Sequence, residues 1–165
     1  MALLAGCSGS KPLRVKVRNG VTVQSGDVSI LGALLDLEQH AIAGYTAGIP
    51  LLDRPAAKAA QQFLSQELAH SGALRDLIRK AGGTPEKPRT SYDLGHPTTN
   101  AQVLALLRDL ENAQLSAYVQ MIPLLTPGRL RSAVAAISAN DAQHLAVLRQ
   151  ELGQNPVPSA FVTGH

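Results

Sequence analysis

Two stretches 73 residues apart each place a glutamate on the apolar side of a helix. Leu34–Leu52 reads LLDLEQHAIAGYTAGIPLL and Leu107–Leu125 reads LRDLENAQLSAYVQMIPLL, with nine of nineteen positions identical. Glu38 matches Glu111, Tyr45 matches Tyr118 and Pro50 matches Pro123. In the first stretch and the turn before it, Leu31, Leu34, Leu35, Ile42 and Tyr45 recur at the three- and four-residue spacing of one helix face, and Glu38 falls in line with them. A carboxylate buried alone is costly, so something must compensate it. A shared Leu pattern alone would not also repeat the Glu, the Tyr and the Pro, so the chain reads as two related halves.

Hydrophobic residues make up 45% of the chain and aromatic residues 3%, with no Trp, a composition that suits a Leu- and Ala-rich helical core. Its 165 residues are enough for one domain. The first helix is expected to start near Asp27, an N-cap candidate, and to weaken at Pro50. The second starts at Asp53, with Pro55 in its first turn, and stops at Gly82-Gly83 after Arg79 and Lys80. The third runs from Thr98 or Thr99 to about Pro123. The fourth has Thr126 as cap and Pro127 in first position, and reaches Gly153. Short links make helices one and two, and three and four, antiparallel hairpins. The link over 83–98, rich in Pro and Gly, could span about 50 Å when extended. A helix of about 25 residues is roughly 38 Å long. The link can therefore run the length of the bundle and make the second and third helices parallel. Its length permits this crossover without requiring it, and a simple up-and-down bundle fits it as well. The expected organisation is a truncated lipobox and tether over 1–26, a four-helix bundle over 27–153, and an extended tail over 154–165 that folds back through Phe161 and Val162.

The second helix of each half carries a carboxylate–histidine pair. Glu67 and His70 lie in ELAH, and Asp141 and His144 in DAQH. Spacing of i, i+3 puts both members on one helix face. Two such pairs facing Glu38 and Glu111 make a ligand set for two metal ions, whose charge would offset the buried carboxylates. Read singly, Glu38 or Glu111 would pair with Arg75, Arg108 or Arg149, and either histidine would be a hydrogen-bonded core or surface residue. The coincidence of all six favours metal. His40 points away from Glu38 and reads as surface, while His96 and His165 have no partner in the pattern. Tyr45 and Tyr118 read as core residues or hydrogen-bond donors beside the ligands.

This ordered set resembles the ferritin-like superfamily of di-iron carboxylate proteins, in which two helices each give a Glu and two others each give Glu-x-x-His. The likeness covers residues 27–153 and is strongest to bacterial exported ferritin-like domain proteins. It implies an all-α ferritin-like four-helix bundle of two antiparallel hairpins joined by a long crossover. It implies Glu38, Glu67, His70, Glu111, Asp141 and His144 as ligands to two divalent ions, iron or alternatively manganese, with dioxygen or peroxide as co-reactants. An enzyme of this kind would be a di-iron oxidoreductase or ferroxidase. Asp141 departs from the family's usual Glu. One methylene shorter, it is expected to bind one metal terminally or through water, leaving the Glu111–Asp141–His144 position weaker and more open than the Glu38–Glu67–His70 one. One cysteine excludes a rubredoxin-type electron donor in the same chain. The extra helix of cage-forming ferritins is missing from the pattern, which argues against an iron cage; the oligomeric state stays open, with a dimer among the alternatives.

LLAGC at residues 3–7 is similar to a bacterial lipobox, in which Cys7 carries lipid and anchors an exported protein to the membrane. Only six residues precede Cys7, so the leader is expected to be truncated or the start misassigned. No stretch is long and apolar enough to span a bilayer. The net charge of +3, with no basic stripe interleaved by aromatics, argues against nucleic acid. The competing reading is a metal-free helical interaction module anchored to the membrane.

Overall fold

The computed structural model describes residues 14–17, 21–126 and 128–164. Strands β1 (Arg14–Val17) and β2 (Val21–Gln24) pair antiparallel, Arg14 opposite Gln24 and Val17 opposite Val21. They lead into α1 (Ser25–Gly48). α2 (Arg54–Lys80), α3 (Asn100–Met121) and α4 (Gly128–Glu151) complete the bundle. The hairpin lies within the stretch read from the sequence as a tether. Its signal was Val-x-Val on either side of Asn19-Gly20, the dipeptide that favours tight hairpin turns. Cys7 and Pro127 lie outside the described residues.

The helix ends repeat as the sequence does. Ile49–Leu51 and Ile122–Leu124 are both single 3-10 turns, and the proline in each supplies no N–H to continue the α-helical ladder. Asp53 caps α2 by accepting from the Ala56 N–H at 3.2 Å, and Thr99 caps α3 by accepting from the Gln102 N–H at 3.3 Å. Asp27 is not a cap. It lies inside the first turn of α1, is buried, and accepts from the Thr126 N–H at 2.8 Å.

Two hydrogen bonds settle the topology. The Asp53 N–H donates to Asn100 Oδ1 at 3.0 Å, so α2 and α3 start at the same end and run parallel. Thr126 bonding Asp27 puts the α3–α4 turn beside the start of α1. The two contacts correspond under the 73-residue repeat, Asp27 with Asn100 and Asp53 with Thr126. Each hairpin turn is thus bonded to the first turn of the opposite half. The crossover then travels along α1: Arg89 forks onto Asp36 at 2.9 and 2.5 Å, and Tyr92 stacks on His40 with ring centroids 4.9 Å apart. The bundle is therefore two antiparallel hairpins joined by a long crossover, as the ferritin-like resemblance implies. His40 faces this crossover instead of open solvent.

Burial divides the interior into three layers. Leu31, Leu34, Leu35, Leu74 and Ile78 belong to one apolar cluster, and Ala41, Tyr45, Phe63, Leu107 and Leu148 to another. Between them α1 contributes Glu38, α2 Glu67, α3 Glu111 and α4 Asp141, all at 0% exposure. The tail reaches α3 through the backbone at Gly164, whose φ is 76° and whose missing Cβ would strike the backbone at Asn112 and Ser116. Phe161 and Val162, through which the tail was expected to fold back on the bundle, stay exposed but line a shallow cleft with Ala142, Leu145 and Ala146 of α4.

α1 approaches α3 across Gly44 and Gly48. A Cβ at Gly48 would lie 2.6 Å from Val103 Cγ1, whereas one at Gly72 on α2 meets nothing within 4 Å. Gly72→Ala should therefore stabilise by up to about 1 kcal/mol, the usual cost of a helix-interior glycine. Gly48→Ala should destabilise by about 1–3 kcal/mol through overpacking. Urea or thermal melts check both, and equal effects would refute the close α1–α3 approach.

Candidate metal centre

All six residues singled out in the sequence come together in the middle layer. Glu67, Glu111, Asp141 and His144 each offer one atom within 4.8 Å of the others, and so do Glu38, Glu67 and His70. Glu67 belongs to both groups. Each helix delivers its group by the same local logic: the residue lies in line with buried neighbours three and four positions away, so burying the apolar stripe carries the carboxylate inward.

The repeat becomes a set of reciprocal contacts. Tyr45 donates its hydroxyl to Glu111 Oε1 at 2.6 Å, and Tyr118 donates to Glu38 Oε1. His144 Nδ1 lies 3.1 Å from Glu67 Oε1 and 3.2 Å from Glu111 Oε1. His70 Nδ1 lies 3.2 Å from Asp141 Oδ1 and 3.5 Å from Glu38 Oε2. Each histidine thus meets the glutamate of its own half and the carboxylate of the other half's paired motif. Burial pushes both tyrosine hydroxyls well above their ordinary pKa, with the facing glutamates adding to it, so they stay protonated donors.

The symmetry breaks at three places. Gln114 donates to Glu67 Oε2 at 2.9 Å, but its counterpart in the first half is Ala41. Gln66 Oε1 lies 2.7 Å from His144 Nε2. Phe63 stacks on the His144 ring with centroids 4.2 Å apart, where the repeat has Ile137 opposite His70. As a result His144 is 1% exposed and His70 12%. Openness therefore lies on the His70 side, the reverse of what the shorter Asp141 led the sequence reading to expect. The missing methylene is overridden by what packs behind each histidine. Gln114 was legible, three residues after Glu111 on the same face. Gln66 carried no signal, since only the packing of α2 against α4 brings it to His144.

Compensation by arginine is absent among the described residues. Arg108 pairs with Asp109 at 2.7 Å, Arg149 bonds Asn112 at 3.4 Å, and Arg75 reaches neither Glu38 nor Glu111. Instead the cluster leaves buried atoms without a hydrogen-bond partner: Glu38 Oε2, Glu67 Oε1, Glu111 Oε2, both Asp141 oxygens and His70 Nδ1. His70 Nδ1 has three carboxylates within 3.7 Å but is aligned with none as a hydrogen bond. Unsatisfied atoms this numerous in so small a volume need an explanation. They fit a divalent cation. With a cation bound, the Gln66 amide oxygen would hold the proton on His144 Nε2 and leave Nδ1 free to act as a ligand, as metal-binding histidines require.

A family model described as Ferritin-like domain matches residues 26–154. Two solved structures are similar. One is a conserved hypothetical protein of Mycobacterium tuberculosis, with a TM-score of 0.75, 20% identity, and coverage of 83% of this chain and 97% of that one. The other is a dodecameric thioferritin, the bacterioferritin-related protein of Bacteroides fragilis, with a TM-score of 0.69, 18% identity, and coverage of 78% and 84%. At these identities the likeness is one of fold. No curated protein matches the chain.

Without metal, protons hold the cluster together. Burial raises Glu38, raises Glu111 to about 8 and Asp141 to about 6, against the opposing pull of the histidines. Burial alone would lower the histidines, but the surrounding carboxylates outweigh it and carry His70 to about 12 and His144 to about 9. Glu67 goes the other way: burial opposes its charge, yet His144 and His70 hold it below the usual carboxylate range. The raised groups bind protons more tightly folded than unfolded. Their contribution is complete below their unfolded values and is lost as pH rises through the folded ones. Glu67 contributes above its unfolded value and loses this as the solution turns acid. The metal-free protein should therefore melt at a lower temperature at about pH 9 than at about pH 6. Calorimetry in the presence of a chelator checks this, and a flat or rising profile would contradict the assignment.

Proposed function

The chain belongs to the ferritin-like domain family, and from that premise we propose that its middle layer holds two divalent transition-metal ions, iron or alternatively manganese. The supporting observation is the set of unsatisfied buried oxygens and one nitrogen converging from four helices. Carboxylate and imidazole donors suit these metals. Glu67, common to both donor groups, would contribute to both positions. Glu38 and His70 would complete one position, and Glu111, Asp141 and His144 the other.

When bound, such a pair supplies one-electron redox chemistry toward dioxygen or peroxide, which places the protein in iron handling or oxidation. The chain's own contribution is positional. Tyr45 and Tyr118 donate to Glu111 and Glu38 and fix the carboxylate rotamers. Phe63 covers the His144 side of the centre, and the His70 side is the more exposed one. With Glu67, the Glu111–Asp141–His144 position would have four donors and the more buried histidine, and would be the tighter one.

Metal content after expression with iron or manganese tests this, together with thermal stabilisation by Fe(II), Mn(II) or Zn(II). Saturation at about 100 times Kd should stabilise by about 2.7 kcal/mol. Glu67→Gln should weaken both positions, and Tyr118→Phe should leave two ions bound. Calorimetry should resolve two unequal steps, with affinity falling at lower pH because protons must leave the raised groups. A protein that stays metal-free and unstabilised returns the function to a helical interaction module.

The envelope location is part of the same proposal and rests on LLAGC. Cys7→Ala should move the full-length protein from the membrane to the soluble fraction and abolish labelling by a palmitate analogue. Labelling that survives the substitution contradicts the anchor.

A further inference from the structure

On the outer side of the bundle, α1, α2 and the crossover enclose a groove of about 670 Å³. This is the size range of small-molecule sites. Its apolar wall includes Ile42, Ala43, Ala47, Leu68 and Pro88. Leu68 is 54% exposed, a large apolar side chain on the open wall of the groove. The polar end is formed by Gln39, Ser71, Arg75 and Arg89. No Asp or Glu lines it.

Two of these polar groups are unsatisfied. The Arg89 charge is offset by its fork onto Asp36. Arg75 has no ion pair or hydrogen bond among the described residues, so it is the groove's uncompensated cation. Gln39 is 5% exposed beneath the groove; its Oε1 accepts from Tyr92 at 3.3 Å, and its Nε2 is buried without a partner. An uncompensated guanidinium at one end of an apolar wall calls for an acceptor carrying negative charge and an alkyl body. We propose that this groove binds a medium-chain carboxylic acid, its carboxylate toward Arg75 and its chain along Leu68, Ile42 and Ala47. The site is separate from the metal centre and does not depend on metal. It shares helix turns with that centre, since Gln39 follows Glu38 and Ser71 follows His70.

Gly72 provides the means to block it. It lines the groove on α2, and a Cβ there meets open space, so a large side chain fills the groove without disturbing the core. The test is calorimetric titration of the full chain, without metal, with octanoate, 1-octanol, inorganic phosphate and phosphatidylglycerol vesicles. Octanoate should bind saturably at one site. Arg75→Gln should weaken it by about tenfold or more, the loss expected for a charge-assisted hydrogen bond. 1-Octanol should bind more weakly than octanoate and be indifferent to Arg75→Gln. Gly72→Phe should abolish octanoate binding, while Gly72→Ala retains it and shows that the helix tolerates the position. Octanoate that fails to bind, that binds no better than 1-octanol, or that ignores both variants overturns the proposal. So does phosphate that displaces octanoate at equal concentration, which marks an unspecific anion site. Arg75-dependent vesicle binding also overturns it, in favour of a lipid surface.

Discussion

Four carboxylates and two imidazoles share a small, mostly buried volume, and the rest of the molecule is arranged around that expense. Charges so close cannot all be ionised without compensation. The protein compensates them with neutral donors and the imidazoles. Tyr45 and Tyr118 cross between halves to the opposite glutamate, Gln114 reaches Glu67, and each imidazole lies between carboxylates of both halves. Both hairpins are needed to complete either set of contacts. The interior is therefore one cooperative unit held across a pseudo-two-fold axis, and the 3-10 turns and the Asp27–Thr126 and Asp53–Asn100 bonds keep its ends in register.

The two apolar clusters serve the same purpose from either side. They bury most of the large side chains and hold the helices rigidly, so the middle layer cannot relax by admitting solvent broadly. Strain at the centre is balanced by packing outside it, the usual relation between a functional site and its scaffold. The departures from symmetry are side-chain differences: Phe63 for Ile137, Gln114 for Ala41, and Gln66 on His144. Phe63 and Gln66 cover His144 and leave it more buried than His70.

The crossover does more than connect. It lies along α1 through Arg89–Asp36 and Tyr92–His40 and forms the third wall of the outer groove. Long connections without secondary structure are often functional, and this one turns the gap between two helices into an open groove.

The sequence alone determined the bundle and the identity of its polar centre. Helical periodicity, the prolines and the caps are local signals, and the 73-residue repeat made Glu38 and Glu111 recognisable as a pair despite their separation. Glu67–His70 and Asp141–His144 were legible because i, i+3 spacing is a property of one helix. The hairpin before α1 was equally local, in the Val-x-Val alternation, but the tether reading passed over it. The direction of α3 was open, because a sixteen-residue link is long enough for either topology; the Asp53–Asn100 contact decided it. Asp27 became a buried acceptor because the α3–α4 turn arrives beside it, 99 residues later. Which half would be more open depended on Gln66 and Phe63, side chains of α2 that meet His144 of α4 only after the helices pack. The outer groove needed three separate segments to close. These are long-range packing outcomes, and no spacing within one helix encodes them.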